Sequence, residues 1–431
     1  MKIKTAYSSL TLACIAAMGL SVAIPASAAD GVIIGSVKDA AQTRSYTGAQ
    51  IKLKELGLVT EAGTDGTFRF PSIPEGTYTL EISYLGEETV TQAIKVTDNG
   101  IARAAVEFGS GDTIDEILVR GQRSGQASAI NQQRTSDRIS SIVSADAIGQ
   151  FPDQNAAESL QRLPGLSIER DQGEGRFVGI RGIDPNLNNV TINGLNIPSP
   201  ESGVRSVALD VIPSELIQTL EVSKSVTPDM DGDAIGGSVA VKSVSAFDKA
   251  RDTASVTVQA SQNDLRDETS PKLSGTFTKK LSPKWGVAGA VSYFDRDFGS
   301  DNVESNGDDE LEQRHYTITR ERLGSALNID FRPDFNNQYF LRTLYSEFSD
   351  DEYRQGNIFT FDGEDSEIER ESKDRFESQS IFTVALGGEH QLDTWKANWQ
   401  LGYAKSDEDE PDALYYVFKT ENDSIDADLN T

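Results

Sequence analysis

The spacing of apolar positions changes character twice along this chain. From residue 30 to about 108, apolar and polar residues alternate in short runs. Gly31-Val32-Ile33-Ile34-Gly35-Ser36-Val37, Ala49-Gln50-Ile51-Lys52-Leu53, Thr67-Phe68-Arg69-Phe70 and Thr77-Tyr78-Thr79-Leu80-Glu81-Ile82 are separated by turns such as Asp65-Gly66 and Pro74-Glu75-Gly76. That rhythm predicts a small β-sandwich over 29–108. Residues 129–246 mix signals. Asp153 is placed to cap a helix over 156–163 that Pro164-Gly165 ends, and a second helix is expected near 213–220. Strands are expected at 166–168, 177–180 and 190–192, with a turn at Asn193-Gly194. Many glycines and few bulky aromatics predict a small α+β domain whose backbones approach closely.

From about residue 250 the alternation lengthens. In 393–403, Trp395, Ala397, Trp399, Leu401 and Tyr403 fall on one face and Lys396, Asn398, Gln400 and Gly402 on the other. Residues 284–294 repeat the device, with Trp285, Val287, Val291 and Tyr293 against Gly286, Ala288, Ala290 and Ser292. Two Trp and a Tyr opposite a Lys/Asn/Gln face suit a strand with lipid on one side and a polar lumen on the other. Short turns at 282–284, 333–337 and 392–394 alternate with long acidic connections at 297–316 and 351–372. Such alternation puts the short turns on the periplasmic side and the long connections outside. About eight strands are expected by residue 420. The fold class read from the pattern is mainly β: a sandwich, an α+β domain, and an incomplete antiparallel transmembrane barrel over 250–431.

The first 28 residues are an address. Lys2 and Lys4 precede an apolar stretch over 10–22, and Ala26-Ser27-Ala28 offers a small-x-small cleavage site, a secretory pattern too short to span a bilayer. Cys14, the one cysteine, lies within it, so the exported part has neither a disulfide framework nor a zinc-thiolate site. The formal net charge is −28, and residues 251–431, with 38 acidic and 19 basic side chains, carry −19 of it. Such a surface repels phosphate backbones and excludes nucleic acid as a partner class.

Two resemblances sharpen this reading. TDGTFRFPSIPEGTYTLEISYLG resembles the carboxypeptidase-regulatory-like domain, an accessory sandwich without chemistry of its own. LQRLPGLSIER, FVGIRGIDPNLNNVTINGLNIP and LIQTLEVSKSVTPDMDGDAIGGSVAVKS look like the three successive signatures of the plug domain of TonB-dependent outer-membrane receptors. The resemblance implies a plug lodged in a barrel of about 22 strands, so the chain is expected to be the N-terminal part of a longer protein of the Gram-negative outer membrane, in contact with its lipid. It also implies a TonB box ahead of the plug. Thr113-Ile114-Asp115-Glu116-Ile117-Leu118-Val119 fits in composition and position, since an extended segment can add to an open sheet edge of TonB. Residues 121–128, rich in Gly, Ser and Gln, would be its tether. The alternative is that 113–119 is the last strand of the sandwich.

The implied function is TonB-driven uptake of a small ligand, an oligosaccharide in the first instance and an iron chelate as the alternative; a non-transporting surface or adhesion protein is the contrasting class. The plug connections 171–176 and 198–204 would face outward under the barrel mouth. There Gln172, Glu174, Arg176, Ser199, Glu201 and Ser202 offer donors and acceptors for hydroxyl-rich ligands, or are solvated turns. No enzyme, cofactor or metal is expected. Asp229-Met230-Asp231-Gly232-Asp233 has Ala234 and Ala240 where an EF-hand loop needs Gly and Glu. Gly173-Glu174-Gly175 lacks the third glycine of a dinucleotide fingerprint.

Overall fold

The computed structural model describes residues 30–422 other than 43, 110–119, 137, 145–154, 229, 250, 306, 308, 363–364 and 393–394. The expected leader, the Thr113–Val119 stretch and the expected cap Asp153 therefore lie outside the described residues.

The alternating runs of the first region form two facing sheets. One is ordered β4-β1-β7 and the other β3-β2-β5-β6. The strands are β1 (Gly31–Asp39), β2 (Gln50–Leu53), β3 (Leu58–Glu61), β4 (Thr67–Ile73), β5 (Gly76–Ser83), β6 (Val90–Val96) and β7 (Ile101–Phe108). Every second residue points inward, so Ile33, Val37, Ile51, Leu53, Phe68, Phe70, Leu80 and Ile82 make one core.

The flexible tether expected at 121–128 is instead part of a helix, α1 (Arg120–Thr135). Gly121 and Gly125 each cost a helix about 1 kcal/mol relative to alanine. Tertiary packing overrides that cost here. Ala127 packs on the sandwich core, Ala129 is buried, and Asn131 Oδ1 accepts the Leu85 N–H at 3.4 Å. Gly48, at φ +74, lets the sandwich come this close, because a Cβ there would sit 2.9 Å from the Gln132 backbone nitrogen.

The plug is a five-stranded sheet in the order β12-β11-β14-β13-β8. Its strands are β8 (Ser140–Ser144), β11 (Asn188–Ile192), β12 (Leu195–Asn196), β13 (Thr219–Ser223) and β14 (Gly237–Lys242). A separate hairpin pairs β9 (Leu166–Asp171) with β10 (Glu174–Ile180). The first expected helix is present but shorter, α2 (Ala156–Leu160), capped by Asn155, whose side chain accepts the Glu158 N–H at 3.0 Å. The second is absent. A single 3-10 turn, Ser214–Leu216, gives way to β13, because Leu220 and Val222 bury at a period of two while Thr219 and Glu221 alternate with them.

The remaining strands are β15 (Thr253–Asn263), β16 (Glu268–Lys280), β17 (Trp285–Ser305), β18 (Glu310–Phe331), β19 (Asn337–Asp362), β20 (Asp365–Leu392), β21 (Trp395–Asp409) and β22 (Leu414–Asn422). They form one antiparallel sheet in chain order, β22 pairing with the outer part of β20. The sheet does not close among the described residues. Its expected facing holds. In β17, Trp285, Val291 and Tyr293 are exposed, whereas Ala288, Ala290 and Ser292 are buried; in β21, Gln400 on the polar face reaches the plug, its Nε2 donating to the Asn193 carbonyl at 3.0 Å. Ala290, Ala326, Leu344, Phe348 and Ile381 join the plug's own hydrophobic core.

The acidic connections expected at 297–316 and 351–372 are not loops. β17 pairs with β18 out to Ser305↔Leu311, and β19 with β20 out to Asp362↔Asp365. Cross-strand ion pairs such as Arg314 with Glu304 and Arg354 with Glu371 offset the acidic charge there. A strand needs only about 9–11 residues to cross a bilayer, so the 26 and 28 residues of β19 and β20 carry this hairpin well beyond it.

Candidate vestibule between plug and barrel wall

The β9–β10 hairpin turns through Gln172 and Gly173, both with positive φ (50° and 85°), which suits a tight two-residue turn. The turn drives Glu174 against the barrel wall. Glu174 is 4 % exposed, and its carboxylate meets three arginines of β17 and β18. Arg320 Nη1 donates to Oε2 at 2.8 Å, and Arg322 and Arg296 donate to Oε2 and Oε1. Burial alone would raise the Glu174 carboxyl, but the three guanidiniums outweigh it and hold the group well below the usual carboxylate range. Arg320 Nε also donates to Asp350 at 2.8 Å, and Gln172 bridges Arg320 and Glu352. Near this cluster Asp210 is fully enclosed. Burial pushes its carboxyl up despite the charges of Arg176, Arg322 and Arg320, and its Oδ1 has no hydrogen-bond partner.

Beside this cluster is a cavity of about 540 Å³. The plug side supplies Glu169, Arg170, Asp171, Arg176, Phe177 and Glu201, and the barrel side Arg375, Glu377, Glu408 and Glu410. Six carboxylates thus face three guanidiniums, and all three guanidiniums are already held. Arg170 grips Glu158 in a fork at 2.8 and 3.1 Å. Arg176 lies between Asp171 at 3.0 Å and Glu201 at 2.5 Å. Arg375 contacts Glu377 at 2.6 Å and Asp350 and Glu352 at 3.4 Å.

The six residues singled out in the sequence therefore divide. Arg176 and Glu201 line the cavity as an ion pair. Ser199 Oγ caps its own turn by accepting the Glu201 N–H at 3.2 Å, and the Ser202 N–H donates to Glu408 at 3.2 Å. Gln172 and Glu174 are engaged by the wall instead. The barrel residues Arg320, Arg322, Asp350, Glu352, Arg375 and Glu377 were not foreseen. Their signal was present: charges at every second position inside a strand, as in Arg375-Phe376-Glu377 with Phe376 exposed, mark the lumen face when the other face is lipid.

Residues 131–238 match the family model described as the TonB-dependent receptor plug domain, and residues 33–119 match the CarboxypepD_reg-like domain. No curated protein matches the chain. Among solved structures it is similar to the ferric citrate transporter FecA in its unliganded form, with 11 % identity over 68 % of this chain and 60 % of that one and a TM-score of 0.35. The siderophore receptor PiuA from Acinetobacter baumannii is similar with 15 % identity over 64 % of this chain and 46 % of its own, TM-score 0.37. The outer membrane transporter YddB from Escherichia coli follows with 10 % identity over 66 % and 57 %, TM-score 0.32. The chain spans about half to three fifths of the length of these structures.

Proposed function

We propose that this chain, a TonB-dependent receptor of the Gram-negative outer membrane, takes up an uncharged, hydroxyl-rich ligand, an oligosaccharide, through the vestibule between plug and barrel. The observation that carries this reading is the charge of the cavity. Its carboxylates outnumber its guanidiniums six to three, and each guanidinium is already paired with carboxylates of the wall or plug. An ionised carboxylate only accepts hydrogen bonds, and sugar hydroxyls are donors that suit it. An anionic iron chelate would meet repulsion in the same space. Ligand contact is assigned to Arg176, Ser199, Glu201 and Ser202 of the plug with Glu377, Glu408 and Glu410 of the wall.

Energy enters through Thr113–Val119, which TonB binds by strand addition. In support, among the described residues both sheets of the sandwich are built from residues 31–108, with Phe108 of β7 buried in the core, and the plug follows Thr113–Val119 in sequence. Ile117→Pro removes an amide donor and breaks an added strand. Energised uptake is expected to disappear while outer-membrane level and ligand binding stay normal; uptake at the wild-type rate refutes the assignment. For the ligand, a deletion strain is compared with its parent on a panel of glycans and of ferric chelates of differing charge. Loss of growth on one glycan supports the proposal, and loss confined to ferric chelates replaces it with an iron receptor.

A further inference from the structure

The N-terminal sandwich is held to the lower rim of the barrel by a few polar contacts. Its turn at 63–67 reaches the junction where the plug chain leaves for the first barrel strand. Asp65 forms an ion pair with Arg332, at the end of β18, and Arg332 lies 4.3 Å from the centre of the Phe247 ring. Burial raises the Asp65 carboxyl, but the Arg332 charge and the hydrogen bonds from Thr67 outweigh it and leave it lowered. Close by, Arg69 donates to Asn336 and the Arg103 guanidinium stacks 4.7 Å over Phe335, both in the turn between β18 and β19. Among the described residues the hydrophobic core of the sandwich contains no barrel or plug residue and, beyond its own strands and turns, takes in Ala127 of α1.

Helix α1 is fixed to that same core. Both flanks of Thr113–Val119 therefore belong to one body: β7, ending in buried Phe108, and α1, packed through Ala127 and Asn131. A force applied between them is applied to the body as a whole. The body meets the plug through residues 136–139, which lead to β8, an edge strand of the plug sheet paired with β13, and through Gln133 of α1, whose Nε2 donates to the Ile142 carbonyl of β8 at 3.3 Å. While the body is clasped to the rim, the barrel carries the load. We infer that the contact of Asp65 and Arg69 with the rim is a clasp that opens before a pull on Thr113–Val119 reaches the plug. The inference rests on the assignment of that stretch to TonB.

Within these 431 residues the only cysteine is Cys14, in the expected leader, so the introduced thiols are the only ones in residues 29–431. The Asp65→Cys, Arg332→Cys double variant of the full-length receptor places two thiols across a gap normally filled by an arginine side chain. That gap is too wide for a direct disulfide, so a short bis-methanethiosulfonate linker is used, which a reductant removes. Linking is expected to lower energised uptake at least tenfold with ligand binding unchanged, and reduction to restore it. The unlinked double variant and the linker-treated single-cysteine variants are expected to transport at the wild-type rate. Wild-type uptake by the linked receptor overturns the clasp, and so does loss of uptake in the unlinked, correctly inserted double variant. Failure of the underlying assignment has a different signature: normal uptake in the Ile117→Pro receptor.

Discussion

Glu174→Gln keeps the shape of the side chain at the plug–barrel contact and removes its charge. In the wild type one buried carboxylate answers Arg296, Arg320 and Arg322, with Arg320 also held by Asp350. Taking one partner from a buried ion pair leaves charge uncompensated in low dielectric, at a cost of about 3–5 kcal/mol. At 1.4 kcal/mol per tenfold, that raises the population of a loosened plug by about two to three and a half powers of ten. The assay is the urea concentration at which purified full-length receptor begins to conduct in a planar bilayer, when the plug yields its hold on the wall. Glu221→Gln is the comparison, since its partner Lys242 is largely exposed and such a pair is worth roughly 0–1 kcal/mol. The Glu174→Gln receptor is expected to conduct at clearly lower urea than both wild type and Glu221→Gln. Because the folded-state Glu174 carboxyl is depressed, its stabilisation is complete above the unfolded carboxylate range and is lost only as pH falls through the depressed value. The gap between variant and wild type is therefore expected to be the same at pH 8 and pH 6. Coincident urea curves, or a gap that closes between those two pH values, refute the reasoning.

Two further outcomes follow from the same geometry. Trp399→Arg is expected to impair barrel assembly, at about 2–4 kcal/mol for a charge near the lipid midplane, while Gln400→Arg, whose side chain faces the plug and donates to the Asn193 carbonyl, assembles; heat-modifiable gel mobility of both distinguishes them, and equal assembly refutes the facing. Asp210→Asn is expected to stabilise the plug increasingly as pH rises from about 4 to 8, because a carboxyl raised by folding loses stability as pH climbs through its folded value; a flat or falling difference in plug melting temperature removes that reading.

How much of this was legible in the sequence depends on whether a segment's local pattern agrees with its tertiary partners. β21 was legible because Trp399, Leu401 and Tyr403 alternate with Asn398, Gln400 and Gly402, and a period of two has one meaning when one face is lipid. The plug and the sandwich were legible from their turns and signatures. Helix α1 was not, since Gly121, Ser124 and Gly125 read as a tether and only the packing of Ala127, Ala129 and Asn131 on the sandwich makes a helix there. The outer hairpins misled for the opposite reason. Their acidic runs read as solvated loops, yet a charge is as well placed on a strand beyond the membrane when Arg314 or Arg354 lies across from it.

The vestibule shows the same dependence at the level of charge. Counting Arg296, Arg320 and Arg322 along β17 and β18 would suggest a barrel wall made for anions. In the fold those cations are committed to Glu174, Asp350 and the Asp210 carbonyl. Glu377, Glu408 and Glu410 remain directed at the cavity. An anion could reach the arginines only by displacing Glu174, which would amount to loosening the plug without TonB. A ligand that leaves the pair intact, binding through hydroxyls to the carboxylates beside it, keeps recognition separate from release. On the proposed assignment, release is then left to a pull on Thr113–Val119.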